Sequence, residues 1–224
     1  MEIKTIAHIY TDFLEKFGIP RQSGIANEAI GRIVFEGEYR CPEALRTIEG
    51  YSHLWLIWGF SESRRDGWSP TVRPPRLGGN KRVGVFATRS PFRPNSLGLS
   101  SVKLLRVEKT ENEGTVLIVS GVDMLSGTPI YDIKPYLKYT DSHEDAIGGF
   151  ADAALAHKLS VSISDELLSI VPEEKKQTLI KILEEDPRPA YKDDAEYEYG
   201  MKFSCLEVFF KVKDGALTVT RITK

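Results

Sequence analysis

The sequence predicts a mainly β protein that ends in a small α+β part. Short apolar runs bounded by polar or glycine-rich turns fill the first two thirds of the chain, and no long helical pattern alternates with them. After about Phe150 the composition changes, and helix-start patterns precede a strong hairpin pattern. We therefore predict two domains, residues 1–150 and residues 151–224.

The strands of the first domain are predicted from apolar runs. They cover residues 3–10, 31–35, 53–60, 83–88, 101–108, 115–124 and 130–136. The run at 53–60 is almost continuously apolar and aromatic, which predicts a strand buried on both faces. Neither GxGxxG nor GxxxxGK[ST] occurs in the chain, so nothing indicates a nucleotide-binding doubly wound sheet.

The second domain shows local signals for helices and a hairpin. Ser164 precedes two acids, which is typical of a capped helix start, and Pro172 is expected at the first position of a second helix. Asp214 and Gly215 separate the runs 203–213 and 216–222 and predict a hairpin turn.

Basic residues are concentrated in one segment of a chain whose net charge is only −2. Eight arginines and lysines lie between Arg64 and Arg93, against the single acid Asp66. The planar guanidinium group suits phosphate and carboxylate, so the segment is interpreted as a polyanion-binding loop. The alternative is a solvated loop without a ligand.

Several function classes are not indicated by the sequence. No apolar run approaches the length of about 18 residues that suggests a membrane span, and the N-terminus lacks a secretory pattern. Cys41 and Cys205 are expected to be reduced and mostly buried, although a disulfide is possible in principle. The histidines lack metal-ligand spacing. We expect a cytoplasmic protein with no metal and no membrane partner.

The segment 84–100, GVFATRSPFRPNSLGLS, carries the densest chemistry. A predicted strand runs into a turn stiffened by Pro91 and Pro94, which presents Arg89, Arg93 and Asn95 on a restricted backbone. The segment is interpreted either as a functional site or as a rigid connecting loop whose arginines cap carbonyl groups.

This segment resembles the signature of the TrmO (TsaA-like) family of tRNA N6-methyltransferases. Three further stretches resemble family elements: FGIPRQSG at 17–24, WSPTVRPPRLGGN at 68–80 and DMLSGTPIYDIKPY at 123–136. The similarity covers residues 6–136, and DPRPAY at 186–191 resembles the tail element of longer members.

The resemblance implies a single-sheet β-barrel methyltransferase fold, distinct from the Rossmann type. It implies a homodimer that binds S-adenosylmethionine close to the subunit interface. The implied substrate is the N6 nitrogen of threonylcarbamoyladenosine, beside the anticodon of threonine-accepting tRNA, and the implied partner is therefore the tRNA anticodon loop.

The resemblance also implies the residues that contact the cofactor. They are Pro20, Arg21, Gln22, Arg89, Leu99, Leu125, Ser126, Gly127 and Thr128. Ser61 and Glu62 stand where members often have a His-Gln pair, and Ser126 stands where many have Asp. Ser61 and Glu62 are kept as candidates for that side-chain contact, and a backbone contact is expected at Ser126.

The chemistry suggests further roles. The urea-like nitrogen is a weak nucleophile until its proton leaves, so a nearby carboxylate or phenol, Asp132 or Tyr136, is hypothesised to assist. The alternative is that Asp132 only pins a turn and that Tyr136 belongs to the core. The threonyl carboxylate needs a cation, and the substrate and tRNA candidates are Arg73, Arg76, Arg89, Arg93 and Asn95.

Two aromatic side chains of the predicted loops have two alternative roles. Trp68 and Phe92 either stack on a splayed anticodon-loop base or pack beneath their own loop.

Two other functions are considered beside the one that the resemblance implies. The first rival function is a methyltransferase of the same fold that acts on another RNA or a small molecule. The second is a non-catalytic β-barrel RNA-binding module.

Overall fold

The computed structural model describes residues 2–62, 67–74, 81–154, 158–188 and 194–224. Its first part is a closed antiparallel barrel of six strands in the order β1-β2-β7-β6-β3-β8. The barrel strands are β1 (Ala7–Thr11), β2 (Ile30–Phe35), β3 (His53–Gly59), β6 (Leu97–Thr110), β7 (Gly114–Ser120) and β8 (Thr128–Pro135). The predicted mainly β, non-Rossmann barrel is confirmed.

The barrel closes because β8 pairs with both β3 and β1, so that no strand of this sheet is left as an edge. Ile9, Ile33, Leu54, Leu56 and Leu117 are completely or almost completely buried inside it. Alternate side chains along a strand point to opposite faces, so the residues between these face outward. The interior is therefore an apolar core, and polar groups reach it only at particular points.

Strand β3 differs from its prediction. Buried and half-buried residues alternate along it, so one face lines the core and the other is partly open in the single chain. The segment 83–88 also differs, because only Val83–Gly84 forms a strand (β5), which pairs with β4 (Thr71–Val72) as a small ribbon, and Val85–Ala87 forms a 3-10 turn. Residues 41–50, between β2 and β3, contain two 3-10 turns, Pro42–Leu45 and Ile48–Gly50.

The second part of the chain forms a four-stranded sheet in the order β10-β11-β12-β9. Its strands are β9 (Ser160–Ser162), β10 (Tyr199–Phe203), β11 (Leu206–Lys213) and β12 (Ala216–Thr223). Among the described residues, the helices that follow the barrel in the chain are α1 (Lys138–Asp141), α2 (Phe150–Ala154), α3 (Asp165–Leu168) and α4 (Glu173–Glu184). The Ser164 cap is confirmed, since its hydroxyl accepts from the N–H of Leu167, while Pro172 is the N-cap of α4 and not its first residue.

The hairpin at Asp214 and Gly215 is confirmed, and both residues have the positive φ angles that a tight hairpin turn requires. The predicted strand 203–213 is interrupted, because Phe203 ends β10 and Leu206 begins β11. Across the described residues, no helix combines the length and the apolar character needed to cross a membrane.

The connection between β1 and β2, residues 12–29, joins the two parts of the chain. Phe13 contacts Phe203 with ring centroids 6.3 Å apart, and Phe17 stacks on Phe210 at 6.4 Å. The buried core therefore continues from the barrel into the second sheet. Cys41 and Cys205 are free but exposed, so the expectation that they are mostly buried was wrong.

Candidate functional site

Four segments meet at one end of the barrel and bring most of the predicted cofactor residues together. They are the loop of Pro20, Arg21 and Gln22 (the PRQ loop), the loop 85–96 that carries Arg89, the start of β6, and the turn 125–128. The amide oxygen of Gln22 accepts a hydrogen bond from the Arg89 guanidinium, which joins the first two segments. Ser61 and Glu62 lie nearby, where the carbonyl oxygen of Glu62 accepts from Lys16.

Asp123, which was not among the residues predicted from the sequence, connects these segments. Its carboxylate accepts a hydrogen bond of 2.6 Å from the hydroxyl of Ser100 on β6, and it also accepts from the backbone N–H of Ser23, next to the PRQ loop. Ser100 is buried inside the barrel and accepts in turn from the indole N–H of Trp58 at 2.9 Å. The chain Trp58–Ser100–Asp123 therefore links the barrel core to the candidate site.

The pKa of Asp123 is higher than that of an ordinary carboxyl group. Burial raises the pKa of Asp123 to about 6, while the hydrogen bonds from Ser100 and the backbone and the positive charge of Arg89 act in the opposite direction. A carboxyl group with a raised pKa beside an arginine is a common feature of functional sites.

The turn 125–128 offers acceptors more readily than donors. The N–H groups of Ser126, Gly127 and Thr128 donate to the carbonyl oxygens of Phe13, Ile9 and Leu125 at 2.8, 2.8 and 3.2 Å. Gly127 has φ +81°, and the position where a Cβ atom would lie is open space. A ligand can therefore approach the backbone closely here, and the carbonyl oxygens of the turn suit an amino group better than an anion.

Leu99 lies on the outer face of the barrel, beside this cluster. It is 55% exposed. Leu99 is paired with Ile57 on β3, and Ile57 is paired with Asp132 on β8. Directly paired residues share a face, so Asp132 lies on the same outer face as Leu99, two strand spacings or about 10 Å away.

The two proposed proton acceptors have defined surroundings. The carboxylate of Asp132 forms an ion pair of 2.7 Å with Lys134 and accepts from the N–H of Ile133. The ring of Tyr136 lies 5.5 Å from that of Trp55, further along the same outer face. Tyr136 also borders an open cavity of about 590 Å³ with five neighbours: Leu137, Lys138, Tyr139, Ser142 and Glu144.

The predicted substrate residues lie on the ribbon and on the loop that follows it. Arg73 is exposed after β4, Arg93 is half-buried, and Asn95 is exposed before β6. Among the described residues, neither Arg73 nor Arg93 has a carboxylate partner, whereas Arg89 is held by Gln22. Arg76 lies outside the described residues.

The loop 85–96 is shaped by its hydroxyl groups as much as by its prolines. Thr88 and Ser90 each accept from a backbone N–H two residues ahead, at 3.2 Å in both cases. The hydroxyl of Ser96 donates to the carbonyl oxygen of Pro91 at 2.9 Å. These bonds restrict the loop further and add to the restriction that the prolines impose.

The two aromatic side chains considered for base stacking, Trp68 and Phe92, differ in their exposure. Trp68 is 53% exposed and stacks on Phe86 with ring centroids 6.2 Å apart, so it does not pack beneath its loop. Phe92 is half-buried. Within the described ranges, no three His, Cys, Asp or Glu side chains are grouped as metal ligands would be.

Comparison with known proteins adds independent findings. The family model described as the tRNA-methyltransferase O N-terminal domain matches residues 8–142, and the TrmO C-terminal domain model matches residues 156–224. The chain is 38% identical to the tRNA (adenine(37)-N6)-methyltransferase of Escherichia coli K12 over 97% of this chain and 96% of that protein. It is 39% identical to RcsF of Pseudomonas aeruginosa, provisionally named an S-adenosylmethionine-dependent methyltransferase, over 92% and 90% of the two chains.

Structural comparison agrees with these matches. The crystal structure of TrmO from Pseudomonas aeruginosa superposes with a TM-score of 0.79 and 30% identity, covering 100% of this chain and 99% of that one. Both the sequence and the architecture therefore match along their full lengths, and the chain belongs to the TrmO family of tRNA methyltransferases.

Proposed function

We propose that this protein transfers a methyl group from S-adenosylmethionine to N6 of the adenosine at position 37, beside the anticodon of a tRNA. We further propose that the natural target is threonylcarbamoyladenosine in threonine-accepting tRNA. The meeting of the PRQ loop, the Arg89 loop and the turn 125–128 around Asp123 carries this proposal, because those segments supply the groups that such a donor needs.

The chemistry of the site fits the donor molecule. Arg89 is exposed at the site and suits the carboxylate of the methionine end, and the exposed Leu99 side chain offers an apolar surface for the adenine ring. The carbonyl oxygens around Gly127 suit an amino group, of which the donor has two. When bound, the donor supplies a methyl group on a positively charged sulfur, which is a good leaving group.

The protein must therefore mainly position the acceptor nitrogen and remove its proton. Holding two reactants in line lowers the barrier by removing translational and rotational freedom before the reaction. Asp132 is proposed as the proton acceptor, because its carboxylate lies on the outer face that also displays Leu99. Tyr136 remains a second proposal, further along that face.

The threonyl carboxylate of the substrate is proposed to bind Arg93. Arg89 is proposed to bind the donor, whereas Arg93 has no acidic partner in the described part of the chain and is half-buried. A partly desolvated guanidinium without a counter-ion favours a bound carboxylate. Arg73 and its neighbours on the ribbon, Lys81 and Arg82, are exposed and are proposed to contact tRNA phosphates.

A homodimer is proposed on the outer face of β6, β3 and β8. Leu99, Ile57 and Trp55 lie there, and each of them is at least partly exposed in the single chain. An apolar strip on a strand wall is typical of a surface covered by a partner. A second copy of the chain on this face would place the donor site close to the subunit boundary. Because the proposed chemistry concerns tRNA inside the cell, we also propose a cytoplasmic location.

The decisive experiment is mass spectrometry of tRNA nucleosides after incubation with the protein and the methyl donor. One tRNA pool carries the threonylcarbamoyl group and a matched pool lacks it. We expect one added methyl group on threonylcarbamoyladenosine and none on unmodified adenosine. Equal methylation of both pools would indicate another RNA substrate, and salt-sensitive binding without methylation would indicate a non-catalytic RNA-binding module.

A further inference from the structure

The side chain of Arg21 points away from the other predicted cofactor residues and into the C-terminal part of the chain. Its guanidinium donates to the carbonyl oxygen of Asp186 at 3.0 Å and to that of Arg188 at 3.5 Å. The neighbouring Gln22, by contrast, turns toward Arg89 on the barrel. The PRQ loop is therefore hydrogen-bonded to the Arg89 loop on one side and to the turn 186–188 on the other.

The turn 186–188 is itself rigidly built. The Arg188 guanidinium contacts the Asp186 carboxylate with two hydrogen bonds, Nε to Oδ1 at 2.8 Å and Nη2 to Oδ2 at 2.9 Å. Asp186 has φ +52°, its N–H donates to the carbonyl oxygen of Leu183 at the end of α4, and the ring of Pro187 fixes the φ angle of that residue. The bidentate pair thus fixes two backbone carbonyl groups in the position where Arg21 binds them.

The packing between the PRQ loop and α4 is incomplete. A cleft of about 350 Å³ separates them, bordered by Ile19, Ile25 and Ala26 on the loop side and by Ile182 on the helix side. The aromatic contacts of Phe13 and Phe17 anchor the connection earlier in the chain. At the PRQ loop itself, the Arg21 hydrogen bonds span the cleft. The cation also lies near the C-terminal end of α4, where the helix dipole favours positive charge.

We propose that the Asp186–Arg188 pair is a positioning element for the methyl-donor site, and that it acts by holding Arg21 and thereby the PRQ loop. This inference rests on the proposed function, because it assumes that the PRQ loop binds the donor. The C-terminal part of the chain then holds the loop in its binding conformation before the donor arrives. Loss of the pair weakens donor binding and leaves the chemical step at saturating donor unchanged.

Isothermal titration calorimetry of S-adenosylmethionine with the full-length chain tests this proposal. In Arg188→Gln, we expect the Kd to rise about tenfold, the order expected when a charge-assisted hydrogen bond is lost. The kcat at saturating donor should stay within about twofold of the parent. Arg188→Lys keeps the charge without the planar fork, so its Kd should fall between those of the parent and Arg188→Gln.

A matched control separates positioning from general loosening of the two parts of the chain. Lys175 of α4 forms an ion pair of 2.6 Å with Asp12 and donates to Ser204, which is another link between the two parts, away from the PRQ loop. Lys175→Met should lower the melting temperature but leave the donor Kd within about twofold of the parent. An equal rise of the Kd in Lys175→Met and Arg188→Gln would overturn the proposal.

The single variant Arg21→Gln tests the link from the loop side without altering Arg188, and a double-mutant cycle then combines the two substitutions. Arg21→Gln changes a half-buried loop residue and should raise the Kd to a similar extent. If Arg21 acts through the turn, Arg21→Gln/Arg188→Gln should bind the donor no more weakly than the weaker single variant. Additive losses would show that Arg21 contacts the donor directly and would refute the positioning role. A parent chain that does not bind the donor at all would instead refute the proposed function.

Discussion

The hydroxyl of Ser100 donates a hydrogen bond of 2.6 Å to the carboxylate of Asp123, across the end of the barrel. Ser100 is 1% exposed and lies within β6, while Asp123 follows β7 at the start of the segment that leads to the turn 125–128. This bond joins the core of the barrel to the candidate site. Because Asp123 is bonded to a buried group, its protonation is expected to affect the free energy of unfolding.

The stability of the protein is expected to depend on pH through Asp123. Its pKa of about 6 in the fold lies above the usual value of 3.8, so the folded state holds this proton more tightly than the unfolded state. The contribution of this group is therefore greatest at low pH and is lost as the pH rises from about 4 to about 6. A shift of about two pH units corresponds to at most about 3 kcal/mol.

Urea unfolding of the parent and Asp123→Asn at a series of pH values between 4 and 8 measures this contribution. The asparagine variant cannot ionise, so the parent's free energy of unfolding should fall relative to the variant between pH 4 and 6 and then stay level. A constant difference across the whole range would show that the carboxyl group titrates normally. Other ionisable groups are common to both proteins and cancel in the comparison.

Ser100→Ala is expected to destabilise the fold by about 1 to 3 kcal/mol. The substitution removes a donor from Asp123 and leaves the indole N–H of Trp58, which is 6% exposed, without its acceptor. Ser101→Ala on the same strand is the matched control, since Ser101 is half-buried, and it should change the stability by less than about 0.5 kcal/mol. Chemical denaturation measures the free energy of unfolding of both variants. Equal losses in Ser100→Ala and Ser101→Ala would show that the hydrogen bonds of Ser100 do not stabilise the fold.

Much of the fold was predictable because its signals are local. The Ser164 cap and the Asp214-Gly215 turn each depend on a few adjacent residues, and both were confirmed. The start of β6 was missed, because Asn95 and Gly98 interrupt the apolar pattern before Ser101. Gly98 is nevertheless in the strand, where a Cβ atom would lie 2.2 Å from the Trp58 ring. Close packing between strands selects this glycine, and no local pattern in the sequence indicates it.

The role of Asp123 was not predictable from its neighbours in the sequence. Its partner Ser100 is 23 positions away, and Trp58 is 42 positions from Ser100, so only closure of the barrel brings the three together. The hydrogen bonds between Arg21 and the turn 186–188 span more than 160 positions, and they form only where the C-terminal part of the chain meets the β1–β2 connection. The sequence motifs predict these segments as parts of a site, and the structure shows which hydrogen bonds join them.

The basic ribbon and Arg93 are expected to respond differently to substitution. Arg73→Gln should weaken the binding of every tRNA. It should reduce the slope of log Kd against log salt by about 1, which corresponds to one lost phosphate contact.

Arg93→Gln should lower kcat/KM by about 10- to 100-fold on tRNA that carries the threonylcarbamoyl group, because a charged hydrogen-bond partner is lost. Binding of tRNA that lacks this group should change little in Arg93→Gln.

Arg106→Gln is the control for both variants, because Arg106 forms an ion pair with Glu108 on the barrel strand β6. Its tRNA affinity and its salt slope should match those of the parent. Filter binding between about 50 and 200 mM salt measures these slopes. A slope that is flat in the parent protein would exclude the ribbon from the tRNA surface, and an equal loss for both kinds of tRNA in Arg93→Gln would contradict recognition of the threonyl carboxylate.

Asp132→Asn tests the proposed proton acceptor directly. The amide cannot accept the proton, so kcat should fall by about 100-fold or more, the range typical of a general base. The donor Kd should be unchanged, because Asp132 lies two strands away from Leu99 and is held by Lys134. Lys134→Met is the paired control: it removes the ion pair but keeps the carboxylate, and its kcat should stay within about threefold of the parent. Near-parent turnover in Asp132→Asn, with Tyr136→Phe strongly impaired, would transfer the role to the tyrosine, since a phenylalanine ring preserves the contact with Trp55 and lacks only the hydroxyl.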